Sequence, residues 1–182
     1  MIQSVCVYCA SSADIDIAYT EDARELGRLL GQRGLRVVNG AGNAGLMRVV
    51  SDATLEAGGV VTGVIPRFMV ERSWCHPSLT ELIQTETMHE RKQLMAKLSD
   101  AAVALPGGYG TLEELLEVIT WKQLGLYQKP LVVLNTNNYY DPLLEMFHRA
   151  ETDNFIREKH LRLWQIAQTP EEAVQKIFQS GV

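Results

Sequence analysis

One run near the middle of the chain concentrates the residues best able to do chemistry: Pro106-Gly107-Gly108-Tyr109-Gly110-Thr111-Leu112-Glu113-Glu114. Its three glycines let the main chain approach a ligand closely and take positive φ. The run follows Ala101–Leu105, an apolar stretch that reads as a buried strand, and opens an amphipathic stretch from Leu112 to about Leu124 that reads as a helix. At such a strand–glycine turn–helix junction, free N–H groups and the positive end of the helix dipole suit an anion such as phosphate. A Walker A loop would need a lysine here, and none is present. One carboxylate among Glu113, Glu114 and Glu117 would point into the anion site's cleft, one helical turn or roughly 5 Å past the amides. A purely local reading competes with this. Thr111 and Glu114 also fit a capping box, in which Glu114 only satisfies a helix N-terminus.

A second candidate is Met88-His-Glu-Arg91-Lys92, at the start of a helix expected over about 88–98. Two cations in a first helical turn oppose the dipole. Either both are solvated, or Arg91 and Lys92 face an anionic substrate, Arg91 as a fixed fork of donors. Other chemistry finds less support. The histidines (76, 89, 148 and 160) never pair at i, i+4, and no Gly-x-Ser-x-Gly elbow occurs. Cys6-x-x-Cys9 lacks a second ligand pair at zinc spacing and reads as strand packing. Gly40-Ala-Gly42-Asn-Ala-Gly45 matches G-x-G-x-x-G. It follows the second strand, however, and no acidic residue ends the next one, so a dinucleotide site is not indicated. A turn that admits a mononucleotide, or one that merely packs tightly, fits better.

These residues need a scaffold, and the chain supplies one. Near-continuous apolar runs at Ile2–Tyr8, Leu35–Val38, Val60–Ile65, Ala101–Leu105 and Leu131–Leu134 alternate with helical patterns. That is the pattern of a parallel sheet covered on both faces. The expected fold is α/β, a doubly wound, mostly parallel, Rossmann-like sheet in three layers, with residues 1–182 forming a single nucleotide-binding domain. Ligands bind such sheets outside the carboxyl ends of the strands. Ser11-Ser12, Gly40–Gly45 and Pro106–Thr111 all fall at that edge, whereas residues 67–78 read as a loop. With 182 residues, 46% of them apolar, the chain can bury a core. A net charge of −5 argues against nucleic-acid polymers and anionic membranes as partners. Three cysteines and no signal-like or membrane-spanning run point to a reducing, cytoplasmic setting.

Taken together, Met88–Lys92 and Pro106–Glu114 resemble the LOG (Lonely Guy) family of cytokinin riboside 5′-monophosphate phosphoribohydrolases, formerly described as lysine decarboxylases. The likeness continues through Leu115–Asn135, Cys9-Ala-Ser-Ser12 and Gly45-Leu-Met47, and so covers most of the chain. It implies cleavage of the N-glycosidic bond of a nucleoside 5′-monophosphate to free base and ribose 5-phosphate, without metal or organic cofactor. It places Arg91 and Glu114 at the two catalytic positions. It places Lys92, Gly107, Gly108, Tyr109, Gly110, Thr111, Leu112, Glu113 and Thr120 at substrate contacts. It also implies a homodimer with sites near the subunit interface. Asn39-Gly-Ala-Gly42 stands where the family usually has three glycines in a row, Ala10 where it has glycine, and Ser73 where it often has glutamate. Glu114 could stabilise an oxocarbenium ion, attack C1′ or orient water. Two other readings remain at this stage. One is a nucleotide-binding protein without hydrolysis, favoured if Glu114 bonds back to the Thr111 amide. The other is a pyridoxal-dependent decarboxylase, which needs a Schiff-base lysine.

Overall fold

The computed structural model describes residues 1–179 as seven strands and seven α-helices in strict alternation, with two short 3-10 turns, Thr136–Asn138 and Glu158–Arg162, on either side of the sixth helix. In chain order they are β1 (Ser4–Tyr8), α1 (Ile17–Gln32), β2 (Arg36–Asn39), α2 (Gly45–Glu56), β3 (Val61–Pro66), α3 (Arg67–Glu71) and β4 (Glu81–Thr85). There follow α4 (Met88–Lys97), β5 (Ala101–Ala104), α5 (Tyr109–Gln123), β6 (Leu131–Leu134), α6 (Asp141–Thr152), β7 (Gln165–Ala167) and α7 (Pro170–Gln179).

The strands form one sheet in the order β4-β3-β2-β1-β5-β6-β7, and every neighbouring pair is parallel. The chain starts in the middle, steps outward to β4, then crosses back to β5 on the other side of β1. The winding therefore reverses between β1 and β5. The loops leaving these two strands diverge to opposite faces and open a crevice there.

Because side chains alternate along a strand, each strand feeds both faces. Val5, Val7, Val37, Val103, Leu105 and Leu134 pack with Leu26, Leu30, Leu46, Val50 and Ile177 beneath α1, α2 and α7. Cys6, Tyr8, Val38, Val64, Ala104 and Val133 pack with Met95, Leu115, Val118, Tyr140 and Trp164 beneath α4, α5 and α6. This explains why β1, β2, β3, β5 and β6 read as apolar runs: both of their faces are covered, whereas the edge strand β4 is largely exposed. Trp164, buried, packs against Phe147 with ring centroids 5.1 Å apart.

Two local expectations are corrected. The expected loop 67–78 contains α3, because Pro66 supplies an extended entry residue and the five residues after it turn once. More consequentially, α5 begins at Tyr109, three residues before the predicted Leu112, with Gly108 as its N-cap. Thr111 thus lies inside the helix, and the Thr111–Glu114 capping box does not form. The capping box in this region belongs to α4: the Thr87 hydroxyl accepts from Glu90 N (3.1 Å), and Glu90 Oε2 accepts from Thr87 N (3.4 Å).

Candidate active site

The early start of α5 leaves its first amides without a partner among the described residues. The first intrahelical donor is Leu112 N, to the Gly108 carbonyl at 3.0 Å. The amides of Tyr109, Gly110 and Thr111 precede it, and Gly108 offers no side chain to cap them. The turn that aims them is braced from β6: Tyr139 OH donates to the Gly107 carbonyl and Tyr140 OH to the Leu105 carbonyl, each at 2.6 Å. Sequence reasoning did not single out these tyrosines. Their signal was the Asn135-Thr-Asn-Asn138 run before them, whose Asn137 and Asn138 take positive φ and turn the chain back toward β5.

Glycine carries a different role in the turn after β2. Gly45 (φ +59°) opens α2 directly against the main chain of Ser11 and Ser12, where a Cβ would sit 2.4 Å from the Ser11 carbonyl carbon. The α2 amides of Leu46 and Met47 donate to the Ala10 carbonyl at 2.9 and 3.4 Å. This helix start is therefore closed by protein, so the G-x-G-x-x-G run packs the first loop and offers no phosphate cradle of the dinucleotide kind.

Arg91 and Lys92 are both buried, which removes the reading of two solvated cations. Arg91 Nε donates to the Val64 carbonyl (3.1 Å) and Nη2 to the Gly40 carbonyl (3.0 Å), while Nη1 lies 3.8 Å from the Met88 sulfur. The guanidinium is thus bolted across the carboxyl ends of β2 and β3 with donor capacity left over. Lys92 Nζ reaches Glu113 (2.7 Å) and Glu117 (3.2 Å) on α5. Burial pulls this ammonium down, but the two carboxylates outweigh it and hold the group above its ordinary value.

Arg91 and Glu114 line one cleft of about 360 Å³, together with Cys9, Ser11, Gly40, Met47 and the α5 start at Gly108–Thr111. Glu113 stands at its edge and Tyr109 is fully exposed beside it. The Glu114 carboxylate keeps some water contact but is packed round by protein. Desolvation raises it from 4.5 to about 7, against the opposing pull of Arg91; Glu113 adds to the rise. Among the described residues it makes no hydrogen bond, and in particular none back to the Thr111 amide. Cys9 also lines the cleft, and burial pushes its thiol well above the ordinary range. Cys6, wholly buried, is pushed to about 12, so the pair serves packing in the way the sequence suggested.

Four expected site residues do not line the cleft: Lys92, engaged by Glu113 and Glu117, and three others. Leu112 is half-buried and packs into the core beneath α5, Gly107 offers its carbonyl to Tyr139, and Thr120 lies exposed near the far end of α5, where its hydroxyl donates to the Leu116 carbonyl (2.8 Å). Nine residues separate Thr120 from Thr111, roughly 13 Å along the helix, so Thr120 does not reach this chain's cleft. One glycine here makes a firm prediction. A Cβ on Gly40 would lie 1.8 Å from Arg91 Nη2. Gly40→Ala is expected to keep the fold but displace the guanidinium, lowering turnover of the cleft's substrate by about 100-fold.

Fold and cleft together define a doubly wound α/β protein that offers main-chain amides, a buried guanidinium and a carboxylate to one ligand. Comparison with known proteins agrees. The profile of a family described as "Possible lysine decarboxylase" matches residues 47–177. "Cytokinin riboside 5′-monophosphate phosphoribohydrolase LOG5" of Arabidopsis thaliana is 45% identical over 95% of this chain and 76% of its own length. "Cytokinin riboside 5′-monophosphate phosphoribohydrolase LOG" of Oryza sativa subsp. japonica is 45% identical over 95% of this chain and 72% of its own length. The chain belongs to this family of LOG proteins. Among solved structures, a molybdenum cofactor binding protein from Rippkaea orientalis superposes with a TM-score of 0.74 at 22% identity, covering 98% of this chain and 97% of that one. The Moco carrier protein of Chlamydomonas reinhardtii gives 0.74 at 24% identity, over 99% and 98%. These two share the fold. The family's decarboxylase description finds no counterpart in the cleft: none of its lining residues is a lysine, so pyridoxal has no imine partner there.

Proposed function

We propose that the protein hydrolyses the N-glycosidic bond of N6-substituted adenosine 5′-monophosphates, releasing free base and ribose 5-phosphate, as the names of its relatives state for them. The observation that carries this reading is the meeting of Arg91, Glu114 and the unpaired α5 amides in one cleft. The amides of Tyr109, Gly110 and Thr111 hold the 5′-phosphate, helped by the helix dipole. Glu113, fixed from below by Lys92, faces the ribose hydroxyls. In the reaction the C1′–N9 bond breaks, its electron pair leaves with the base, and C1′ passes through an oxocarbenium-like state. The Glu114 carboxylate stabilises that cation and takes a proton from the water that adds to C1′, and one proton in turn goes to the departing base, so the products are neutral base and ribose 5-phosphate; a carboxylate at about 7 is suited to these tasks. Arg91 keeps its charge throughout and holds substrate oxygens or the departing base with its spare donors. The base end of the cleft is lined by Met47, Met69 and Met88, adaptable apolar side chains suited to a planar ring and its substituent. No helix among the described residues is long and apolar enough to cross a membrane.

The test is a panel of 5′-monophosphates, AMP and N6-isopentenyl-AMP among them, scored by chromatography for free base and ribose 5-phosphate. Release of both from at least one member is the expected result. Nucleotide that binds and returns intact would instead establish a non-hydrolytic binding protein.

The homodimer is part of the same proposal. Tyr109, Leu116, Thr120 and Leu124 fall on one outward stripe of α5, all exposed, and the stripe starts at the cleft's rim. A second copy seated there would cover this apolar line and bring its Thr120 toward the neighbouring site. Leu116→Glu with Leu124→Glu is expected to halve the mass seen by light scattering and reduce turnover more than tenfold; a wild-type chain that runs as a monomer at micromolar concentration would reject it.

A further inference from the structure

The bond that orients Arg91 depends on a turn that should not be comfortable. Gly40 gives its carbonyl to Arg91 Nη2, and the next residue, Ala41, takes φ +57° with no exposure to water. An L-residue with a Cβ is disfavoured in left-handed backbone. Space is tight as well: the Ala41 Cβ stands 2.6 Å from where a Cβ of Gly63, on the neighbouring strand β3, would be. Something must hold Ala41 in place, and one buried side chain does so.

That side chain is Asn39, the last residue of β2, wholly buried. Its Oδ1 accepts the Ala41 N–H at 2.9 Å, the two-residue turn that asparagine makes well. Its Nδ2 donates to the Ser51 hydroxyl at 2.9 Å, and Ser51 in turn donates to the Met47 carbonyl at 2.8 Å. The amide therefore ties the strained turn to α2, at the very turn of α2 that brings Met47 to the cleft. His76 N closes the other side by donating to the Ala41 carbonyl at 2.8 Å. A buried amide with both ends used is costly to rotate, so the Gly40 carbonyl has one direction open to it.

We propose that Asn39 is a positioning residue for the reaction: its side chain locks the Gly40-Ala41-Gly42 turn in the one conformation whose Gly40 carbonyl holds the Arg91 guanidinium beside Glu114. Asn39 touches no substrate and acts only through Arg91. The inference rests on Arg91 and Glu114 being the reacting pair. It adds a dependence that motif matching does not contain, because the strained alanine and its brace are read from backbone geometry.

The test uses three chains of full length: Asn39→Ala, Ala41→Gly and the double variant. Asn39→Ala is expected to lower kcat by 10- to 100-fold, the usual cost of a displacement of about 1 Å. KM should stay within about threefold, because the α5 amides that hold phosphate are untouched. Ala41→Gly alone should match wild type. The double variant should recover at least tenfold of the loss, since glycine adopts the turn without a brace. The acid limb of the pH profile gives a second readout. Glu114 is faced by Arg91 and Lys92 from α4, by Glu113 and Glu117 from α5, by Cys6 and Tyr8 from β1, and by Cys9 just after β1. Of these only Arg91 moves, and as its opposing pull weakens the limb shifts upward in Asn39→Ala. A folded Asn39→Ala with kcat within twofold of wild type, or a double variant no faster than Asn39→Ala, overturns the proposal. If wild type hydrolyses no monophosphate, the catalytic reading itself fails. The brace is then judged by the Arg91 Nε–H resonance, identified by its loss in Arg91→Lys: a shifted, faster-exchanging signal in Asn39→Ala supports it and an unchanged one overturns it. Should Asn39→Ala not fold, Ser51→Ala releases the same amide from α2 and is read the same way.

Discussion

Replacing Glu114 with glutamine is expected to abolish base release, by 1000-fold or more in kcat, and at the same time to make the protein more stable at pH 8. The first effect follows from charge. An amide of the same shape neither balances a cation at C1′ nor takes a proton from water, and removing such a group costs on the order of 3–4 kcal/mol of barrier. The second follows from the carboxyl's raised value, from 4.5 to about 7, for which burial is the main cause. Between those two values the folded chain holds a proton that the unfolded chain has released. Stability therefore falls as pH rises through that window, and the contribution is fully present below 4.5 and lost above 7. The span sets a ceiling of about 3 kcal/mol, and the residual water contact of the carboxylate brings the expected gain nearer 1–2 kcal/mol. For a chain of this size that raises Tm by about 3–6 °C. Thermal unfolding of both proteins at pH 5 and pH 8 checks it: the curves should separate at pH 8 and converge at pH 5. Equal Tm values at pH 8 would mean that Glu114 is well solvated when ionised, and near-normal base release by Glu114→Gln would remove it from the reaction. The same value also sets the pH dependence of the wild type, whose kcat/KM should rise through about pH 7 as the carboxylate forms.

Much of this arrangement was legible in the chain. The apolar runs fixed on strands because both faces of those strands are covered, so no alternation was needed to find them. The Gly107–Gly110 turn stood out by residue type, whereas the pair Arg91 and Glu114 was singled out only through the resemblance to the LOG family. What stayed hidden depended on where a helix starts. A threonine three residues before a glutamate occurs three times, at Thr87–Glu90, Thr111–Glu114 and Thr169–Glu172, and sequence spacing cannot tell the first two apart. The structure makes the first a cap and the second two residues of one helix, because Gly108 already ends the turn and frees the amides at 109–111. Likewise, by position alone two adjacent cations at a helix start could equally be solvated or face a ligand, until the carbonyls of Gly40 and Val64 and the carboxylates of Glu113 and Glu117 surrounded them. Those partners lie 21 to 51 residues away, beyond any local pattern. The Asn39 brace could not be read either, since positive φ at an alanine is a property of the folded turn.

Arg91→Lys, the mildest change of charge-bearing residue, is expected to cost nearly as much activity as loss of the carboxylate, about 1000-fold in kcat/KM. The reason is geometric. Arg91 Nε and Nη2 reach two carbonyls on different strands, 3.1 and 3.0 Å away, and the planar fork still has donors to spare for the cleft. A lysine has one nitrogen at the end of a flexible stem, so it can satisfy one of those carbonyls or face the ligand, but not hold a fixed direction while doing so. The carbonyl it abandons is buried, which costs about 1–3 kcal/mol of stability. Because the guanidinium also pulls Glu114 downward, its removal should carry the acid limb of any residual activity to higher pH. Two measurements separate these effects. Differential scanning calorimetry reads the lost carbonyl partner, and the pH profile of residual base release reads the lost charge arrangement at Glu114. A variant that unfolds at lower temperature yet keeps both its turnover and its acid limb would show that Arg91 only fastens β2 to β3. A variant of normal stability with crippled turnover would show that the guanidinium works on the ligand, and that the main-chain bonds serve only to aim it.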